Sequence, residues 1–168
     1  MSDGIYIADV SVLERFPRVV RNDVLPDLWP LLTRAIEKGQ LGFPREVLTD
    51  LAWAARFEHV TAWASGLGSL LKPYNGNIRY ATPLMDLVAN CGFDEGFGSL
   101  GGDHEPGAAG VGRLACEYDD EGKPFTIATE DYGEHPLAPT MTQLCERAGW
   151  STIDARGCLR GLGLASLL

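Results

Sequence analysis

Long apolar runs are missing from this 168-residue sequence, and so is a basic, apolar leader at its start. A membrane-spanning helix needs about 20 consecutive apolar residues, so we expect no membrane span. Residues 1–4 carry no basic region and no long apolar stretch, and we therefore expect no secretory signal. A chain of this length is most simply one domain over residues 1–168.

Clustered cysteine and histidine ligands are also missing. The four cysteines are widely spaced and form no C-x-x-C pair (Cys91, Cys116, Cys145 and Cys158). The three histidines have no metal-ligand spacing (His59, His104 and His135). These spacings argue against the common zinc and redox motifs, and reduced, buried thiols are typical of a cytoplasmic protein.

Two further motifs concern serine and glycine residues. No G-x-S-x-G occurs, which argues against the nucleophile elbow of the α/β hydrolases. Gly107, Gly110 and Gly112 have the wrong order for a G-x-G-x-x-G loop, and no predicted strand leads into them. The sequence therefore favours neither a serine hydrolase nor a dinucleotide-binding domain.

Positive charge is scarce. The chain has 14 basic and 23 acidic residues, with a formal net charge of −9. This balance argues against a protein that binds nucleic acid through bulk electrostatics. It does not exclude phosphodiester chemistry at a bound metal, because a carboxylate cluster adds negative charge to the metal-free chain. Five arginines are candidates to line a substrate groove (Arg15, Arg18, Arg21, Arg45 and Arg113).

The first predicted strand ends at a carboxylate. Residues 5–8 form a short, apolar, β-rich run, and Asp9 follows directly. Ser11 and Glu14 have the spacing of a capping box, which predicts Ser11 as a helix N-cap. Asp9 is thus expected at the end of a strand, where ligand crevices form in open α/β sheets. It needs a cation, a hydrogen-bond cluster or a proton there, although acceptance of backbone N–H bonds alone is a simpler alternative.

Helices and two further strands follow along the chain. We expect the first helix to end near residues 16–17, and apolar periodicity and capping residues predict later helices near residues 25–38, 44–51, 57–71, 84–91, 104–118, 140–148 and 155–162. Strands are predicted at residues 124–128 and 150–153, and the pattern places none between 72 and 102. This order predicts an α/β sandwich over a parallel sheet.

Carboxylates occur near strand ends or helix starts at four separate places: Asp9, Glu46, Asp103, and Glu130 or Asp131. Acids from separate segments that converge on one point need a divalent metal ion to coexist. Ligands that are all oxygen atoms favour Mg²⁺ or Mn²⁺. The pattern therefore predicts a metal site, although the helix of Glu46 and Asp50 also suits a solvated face.

A series of short motifs spans most of the chain. Its members are Asp9-Val10-Ser11-Val12-Leu13, Phe16-Pro17, Trp29, Pro44-Arg45-Glu46-Val47, Asp103 before an Ala-rich helix, Thr129-Glu130-Asp131, and residues 139–149 with Cys145. In order and spacing they resemble the motifs of PIN-domain ribonucleases, the class that includes the VapC-type toxins of bacterial toxin–antitoxin pairs. Each motif is short, and their order is what makes the resemblance.

The resemblance implies a PIN-like α/β/α sandwich and a Mg²⁺ or Mn²⁺ site. Its four acids would be Asp9, Glu46, Asp103 and Asp131, and the hydroxyl groups of Ser11 and Thr129 would assist as substrate-binding partners. The implied activity is metal-assisted hydrolysis of RNA. The implied partners are an RNA substrate, a cognate antitoxin and a second copy of the chain in a homodimer.

Two assignments and the activity itself have alternatives. The glycine-rich residues 72–102 depart from the family's usual approach to the third acid, so Asp94 or Glu95 is the alternative to Asp103. Glu130 is the alternative to Asp131 because the two are adjacent, and Asp50 matches a second acid on the helix of Glu46. The alternative function is a PIN-like protein-binding or regulatory module without nuclease activity.

Overall fold

The computed structural model describes residues 4–54, 58–97 and 106–168. Asp103, the predicted third acid, lies outside these residues, as does His104. The chain has an α/β fold built on a four-stranded parallel sheet. This confirms the predicted fold class, and the arrangement is compatible with an α/β/α sandwich.

The sheet has the order β2-β1-β3-β4. Its strands are β1 (Ile5–Ala8), β2 (Leu41–Gly42), β3 (Phe125–Ala128) and β4 (Thr152–Ile153). β1 lies in the middle and pairs with both β2 and β3. Because all neighbours run parallel, the C-terminal ends of the strands meet at one edge of the sheet.

Helices connect the strands. They are α1 (Val10–Val19), α2 (Leu25–Glu37), α3 (Arg45–Ala54), α4 (Glu58–Ser65), α5 (Ala81–Asn90), α6 (Gly107–Asp120), α7 (Met141–Ala148) and α8 (Ala155–Gly161). Short 3₁₀ helices cover Asn22–Val24, Gly68–Tyr74, Ile78–Tyr80 and Ala165–Leu167. Among the described residues, no helix combines the length and the apolar character that crossing a membrane requires.

The structure differs from the predicted elements at three places. β2 was not predicted because its two residues give no periodic signal. Gly42 in this strand lets the ring of Tyr74 pack against the backbone, since an added Cβ would lie 2.6 Å from that ring. α1 continues through Pro17 to Val19, since Val19 is buried against the core. The helix predicted near residues 57–71 ends at Ser65, and a 3₁₀ helix follows.

The core lies between the sheet and the helices. Its largest members without exposed surface include Ile7, Leu13, Phe16 and Leu114. All four cysteines are free thiols. Burial raises the pKa of both Cys145 and Cys158 to about 12, and negative charge from Asp9 and Asp154 respectively adds to the effect. These two thiols therefore stay protonated at neutral pH.

Candidate functional site

The predicted acidic site lies at the C-terminal edge of the sheet. β1 and β3 pair in register up to Ala8 and Ala128, so the residues that follow them, Asp9 and Thr129, are neighbours. The backbone N–H of Asp9 donates to the carbonyl oxygen of Ala128 at 3.1 Å. This contact continues the strand pairing by one residue and fixes the position of the Asp9 backbone, and hence of its Cβ.

Asp9, and not Ser11, is the N-cap of α1. Its Oδ1 accepts a hydrogen bond from the backbone N–H of Val12 at 3.0 Å. The prediction of Ser11 as the cap was wrong because the helix begins at Val10, directly after the strand. The Ser11 hydroxyl instead donates to Oδ1 of Asp9 at 2.6 Å. The spacing of Ser11 and Glu14 resembled a capping box, but α1 does not use it.

Two hydroxyl groups orient the Asp9 carboxylate. Ser11 donates to Oδ1, and the hydroxyl of Thr129 donates to Oδ2. Each hydroxyl accepts a backbone N–H in turn: Glu130 N donates to Ser11 at 2.8 Å, and Asp131 N donates to Thr129 at 3.0 Å. The backbone after β3 thus holds both hydroxyls, and these hold the carboxylate. Thr129 has no exposed surface, so its hydroxyl serves Asp9 here, and its substrate-binding role stays a prediction.

Asp9 is an ionisable residue that is almost fully buried, with 5% of its surface exposed. Burial raises the pKa of Asp9 from 3.8 to about 6, although the hydrogen bonds from Ser11, Thr129 and Val12 act to lower it. The negative charge of Asp131 raises the pKa of Asp9 further. Asp131 is linked to Asp9 through Thr129, whose hydroxyl accepts the N–H of Asp131 and donates to Asp9.

Asp131 and Glu130 each use one carboxylate oxygen at a helix start. Oδ2 of Asp131 accepts the backbone N–H of Met141, at the start of α7, at 2.8 Å. Oε2 of Glu130 accepts the N–H of Ala155, at the start of α8, at 2.8 Å. A carboxylate has about four acceptor positions, so both retain capacity for another ligand. Asp131 stays the predicted fourth acid and Glu130 its alternative, because both carboxylates are used in the same way.

Glu46 of α3 is buried where α3 packs against α6, and it forms an ion pair with Arg113 of α6. Its Oε1 accepts a hydrogen bond from Arg113 at 3.0 Å, and the side chains of Glu46 and Arg113 are 10% and 7% exposed. We had expected Arg113 to line an open groove. Because it is buried in this ion pair, it is not available for that role. Arg45 has an 80% exposed side chain and lies 3.6 Å from Oε2 of Glu46. The solvated-face alternative for this helix fails at Glu46.

Asp50 links α3 to the corner where α1 begins. Its Oδ2 accepts the backbone N–H of Gly107, the first residue of α6, at 2.6 Å. A Cβ added to Gly107 would lie 2.8 Å from this oxygen and 3.3 Å from the side chain of Val10, the residue after Asp9. The starts of α1 and α6 and the second acid of α3 therefore meet at one point.

Two glycines and one arginine on α6 face the two acids of α3. Gly107, Gly110 and Arg113 are three residues apart and share one helix face, opposite Asp50 and Glu46, which are four residues apart on α3. A Cβ on Gly110 would lie 2.7 Å from Oε1 of Glu46. Small residues and one arginine on α6 thus match two acids on α3, a pairing that only the contact of the two helices reveals.

Carboxylate and hydroxyl oxygens are suitable ligands for Mg²⁺ or Mn²⁺. Within residues 4–54, 58–97 and 106–168, no three His, Cys, Asp or Glu side chains are grouped closely enough to hold an ion. Mg²⁺ usually keeps several waters and binds one or two carboxylates together with substrate phosphate. The oxygen donors present therefore fit such an ion as a partial ligand set around Asp9.

Neither a protein-family model, nor a curated protein, nor a solved structure matches this chain.

Proposed function

We propose that this chain is a divalent-metal-dependent endoribonuclease with a PIN-like fold. The observation that carries the proposal is the Asp9 carboxylate, buried at the ends of two adjacent parallel strands and oriented by Ser11 and Thr129. Among the described residues, every hydrogen-bond donor to Asp9 is neutral. A buried carboxylate with Asp131 beside it gains from a cation.

The order of acids along the fold supports the PIN-like part of the proposal. Asp9 follows the central strand, Glu46 lies in the first turn of α3 after β2, and Asp131 follows β3. This is the order of the acids in the motifs quoted above. Asp103 would precede α6 as the remaining acid.

Asp9 and Asp131 would hold the Mg²⁺ or Mn²⁺ ion together with water and substrate phosphate, and Asp103 is the further predicted ligand. Glu46 does not complete a group of three with them in the described residues, because it is paired with Arg113. When bound, such an ion supplies a water of lowered pKa and positive charge beside the phosphodiester. Ser11 and Thr129 keep Asp9 in one orientation, which is the preorganisation that a metal ligand needs. The N-termini of α7 and α8 donate N–H groups to Asp131 and Glu130 and thereby fix where these two carboxylates lie.

The test is cleavage of single-stranded RNA by purified protein with Mg²⁺ or Mn²⁺ and with EDTA. We expect cleavage only with metal, and a loss of at least 100-fold in Asp9→Asn, in the range set by loss of one preorganised group. Asp86→Asn, an exposed acid on α5, is the matched control and should cleave like the wild type. Equal cleavage by Asp9→Asn and Asp86→Asn would contradict the assignment of Asp9.

We extend the proposal to a role as the toxin of a toxin–antitoxin pair, inhibited by a cognate antitoxin and acting as a homodimer in the cytoplasm. This extension rests on the resemblance in motif order. Its test is growth after induced expression in a bacterium: the wild type should arrest growth, and Asp9→Asn should not. Equal inhibition by both proteins would exclude a toxin that acts through this site.

A second candidate is a PIN-like module that binds protein and has no nuclease activity. The observation that favours it is that several acids of the site already have structural partners: Glu46 pairs with Arg113, and Asp50, Glu130 and Asp131 accept helix N-terminal N–H groups. Absence of metal binding by the wild type would favour this candidate over the nuclease.

A further inference from the structure

Positive charge is concentrated on two neighbouring helices. α1 and α8 pack against each other, and they carry four of the 14 basic residues of the chain but one of its 23 acidic residues. The four are exposed: Arg15, Arg18, Arg156 and Arg160. We call these arginines the α1–α8 surface. These two helices thus carry three more positive than negative charges in a protein whose net charge is −9.

The α1–α8 surface begins at the acidic site. Ser11, Arg15 and Arg18 share one face of α1 because they are four and three residues apart, and Ser11 contacts Asp9 directly. Arg156 and Arg160 are four residues apart on α8, whose first N–H donates to Glu130. Both helices start at the same edge of the sheet, so the basic residues lead away from the carboxylates.

An exposed aromatic ring lies where the two helices begin. Tyr132 follows Asp131 and is 54% exposed. Partial burial raises the pKa of Tyr132, and the negative charges of Glu130, Asp154 and Asp9 raise it further. Asp154 is the N-cap of α8 and Asp9 that of α1. The two residues before Tyr132 contact both helix starts: Oε2 of Glu130 accepts the first N–H of α8, and the N–H of Asp131 donates to the Thr129 hydroxyl that contacts Asp9.

We propose that the α1–α8 surface binds the backbone of single-stranded RNA and that the ring of Tyr132 stacks on a base next to the carboxylate site. This deepens the proposed function, on which it rests, by naming the substrate class and the path of the strand. Sites for single strands combine a basic track for the phosphates with aromatic rings for the bases. A folded acidic protein would match the arginines but gives the exposed ring no base to stack on.

The test is binding of a short fluorescent single-stranded RNA to the full chain in EDTA, measured by fluorescence anisotropy at several salt concentrations. Arg15→Gln/Arg156→Gln should weaken binding about tenfold or more, and the slope of log K against log salt should fall by about 0.7 for each arginine that contacts a phosphate. Arg34→Gln/Arg147→Gln is the matched control: it removes the same charge from exposed arginines in the last turns of α2 and α7. It should bind like the wild type.

Tyr132 is tested by Tyr132→Phe and Tyr132→Ala in the same assay. Loss of one stacked ring should weaken RNA binding between about fivefold and about 150-fold, so the alanine variant should bind less well while the phenylalanine variant retains affinity. The salt slope should stay unchanged in both, because no phosphate contact is removed. Equal affinity of the alanine variant and the wild type would overturn the stacking role.

The other outcomes are decisive as well. Equal loss in the two arginine pairs, or no RNA binding by the wild type, would overturn the proposed surface. Binding of fluorescent polyglutamate that depends on Arg15 and Arg156, without RNA binding, would overturn it in favour of an acidic protein partner. Arginine-dependent RNA binding without metal-dependent cleavage would uphold the surface and contradict the nuclease. Metal-dependent cleavage that the arginine changes leave unaffected would uphold the nuclease and contradict the proposed surface.

Discussion

At neutral pH the Asp9 side chain carries a negative charge where it meets almost no water. Three hydrogen bonds compensate part of the cost of burial, but the pKa of Asp9 is still about 6, above the ordinary value of 3.8. A group with a raised carboxyl pKa binds its proton more tightly in the folded state than in the unfolded state. Stability from this group is therefore greatest at low pH and falls as the pH rises from about 4 to about 6.

We predict from this sign that Asp9→Asn stabilises the metal-free protein at high pH. The shift from 3.8 to about 6 corresponds to about 3 kcal/mol as an upper value, because one pKa unit is about 1.4 kcal/mol. The asparagine amide is neutral and has a similar shape to the carboxylate. Its NH₂ group would donate to the Thr129 hydroxyl oxygen, whereas in the wild type the Thr129 hydroxyl donates to Asp9. In EDTA, urea unfolding should show the variant more stable at about pH 8 and equal to the wild type at about pH 4.

The matched variants for this prediction are Asp9→Ala and Asp86→Asn. Asp9→Ala also removes the buried charge, but it should be about 1 kcal/mol less stable than Asp9→Asn because it lacks the helix cap, and Asp86→Asn should leave the pH profile unchanged. If Asp9→Asn were less stable than the wild type at about pH 8, burial would not be the dominant effect on Asp9. The site would then be a structural hydrogen-bond cluster.

At the scale of elements, the packing of α3 against α6 positions Glu46 and Asp50. Gly110 permits this packing, because a Cβ there would lie 2.7 Å from Oε1 and 2.9 Å from Cβ of Glu46. The second contact is close to the α3 backbone, so a rotation of the Glu46 side chain cannot relieve it. We infer that the distance between the two helices is set by glycine on α6.

We predict that Gly110→Ala destabilises the protein, although alanine favours a helix over glycine by about 1 kcal/mol. Overpacking costs about 1–3 kcal/mol, and the Glu46–Arg113 pair would be displaced with it. Urea unfolding should show a net loss of up to about 2 kcal/mol. Gly66→Ala, where an added Cβ would have ordinary contacts from 3.4 Å, is the control and should be neutral. Equal stability of the two variants would contradict this account of the interface.

The elements that sequence predicted well are those whose signals are local. The strand before Asp9, the capping box of Thr140 and Gln143, and the cap of α8 by Asp154 are confirmed. Each rests on a few consecutive residues. β2 was missed because two residues carry no period, and it is a strand only through its pairing with β1.

Long-range partners were beyond prediction from the sequence. Arg113 is 67 positions from Glu46, and no spacing rule connects them. We expected Arg113 to line a groove, but the contact of α3 with α6 makes it the buried partner of Glu46. Asp9 and Thr129 are 120 positions apart and contact each other, and only the resemblance had named Thr129 as a hydroxyl partner of the acids. The assignment of Asp103 lies outside the described residues and stays a prediction.

At the scale of the whole molecule, charge is separated. The net charge of −9 argues against general affinity for nucleic acid, whereas the α1–α8 surface offers a local basic area beside the carboxylates. Such separation suits a protein that handles a polyanion at one place. A divalent ion would add positive charge where the acids of the site meet.

The most direct test of the central claim is a calorimetric titration of Mn²⁺ into the metal-free protein at neutral pH. Our account predicts saturable binding by the wild type and by Asp86→Asn, and no binding by Asp9→Asn, because Asp9 is the oriented ligand. Binding of equal strength by the wild type and Asp9→Asn would place the metal elsewhere. No binding by the wild type would contradict the metal site and leave the protein-binding module as the function to pursue.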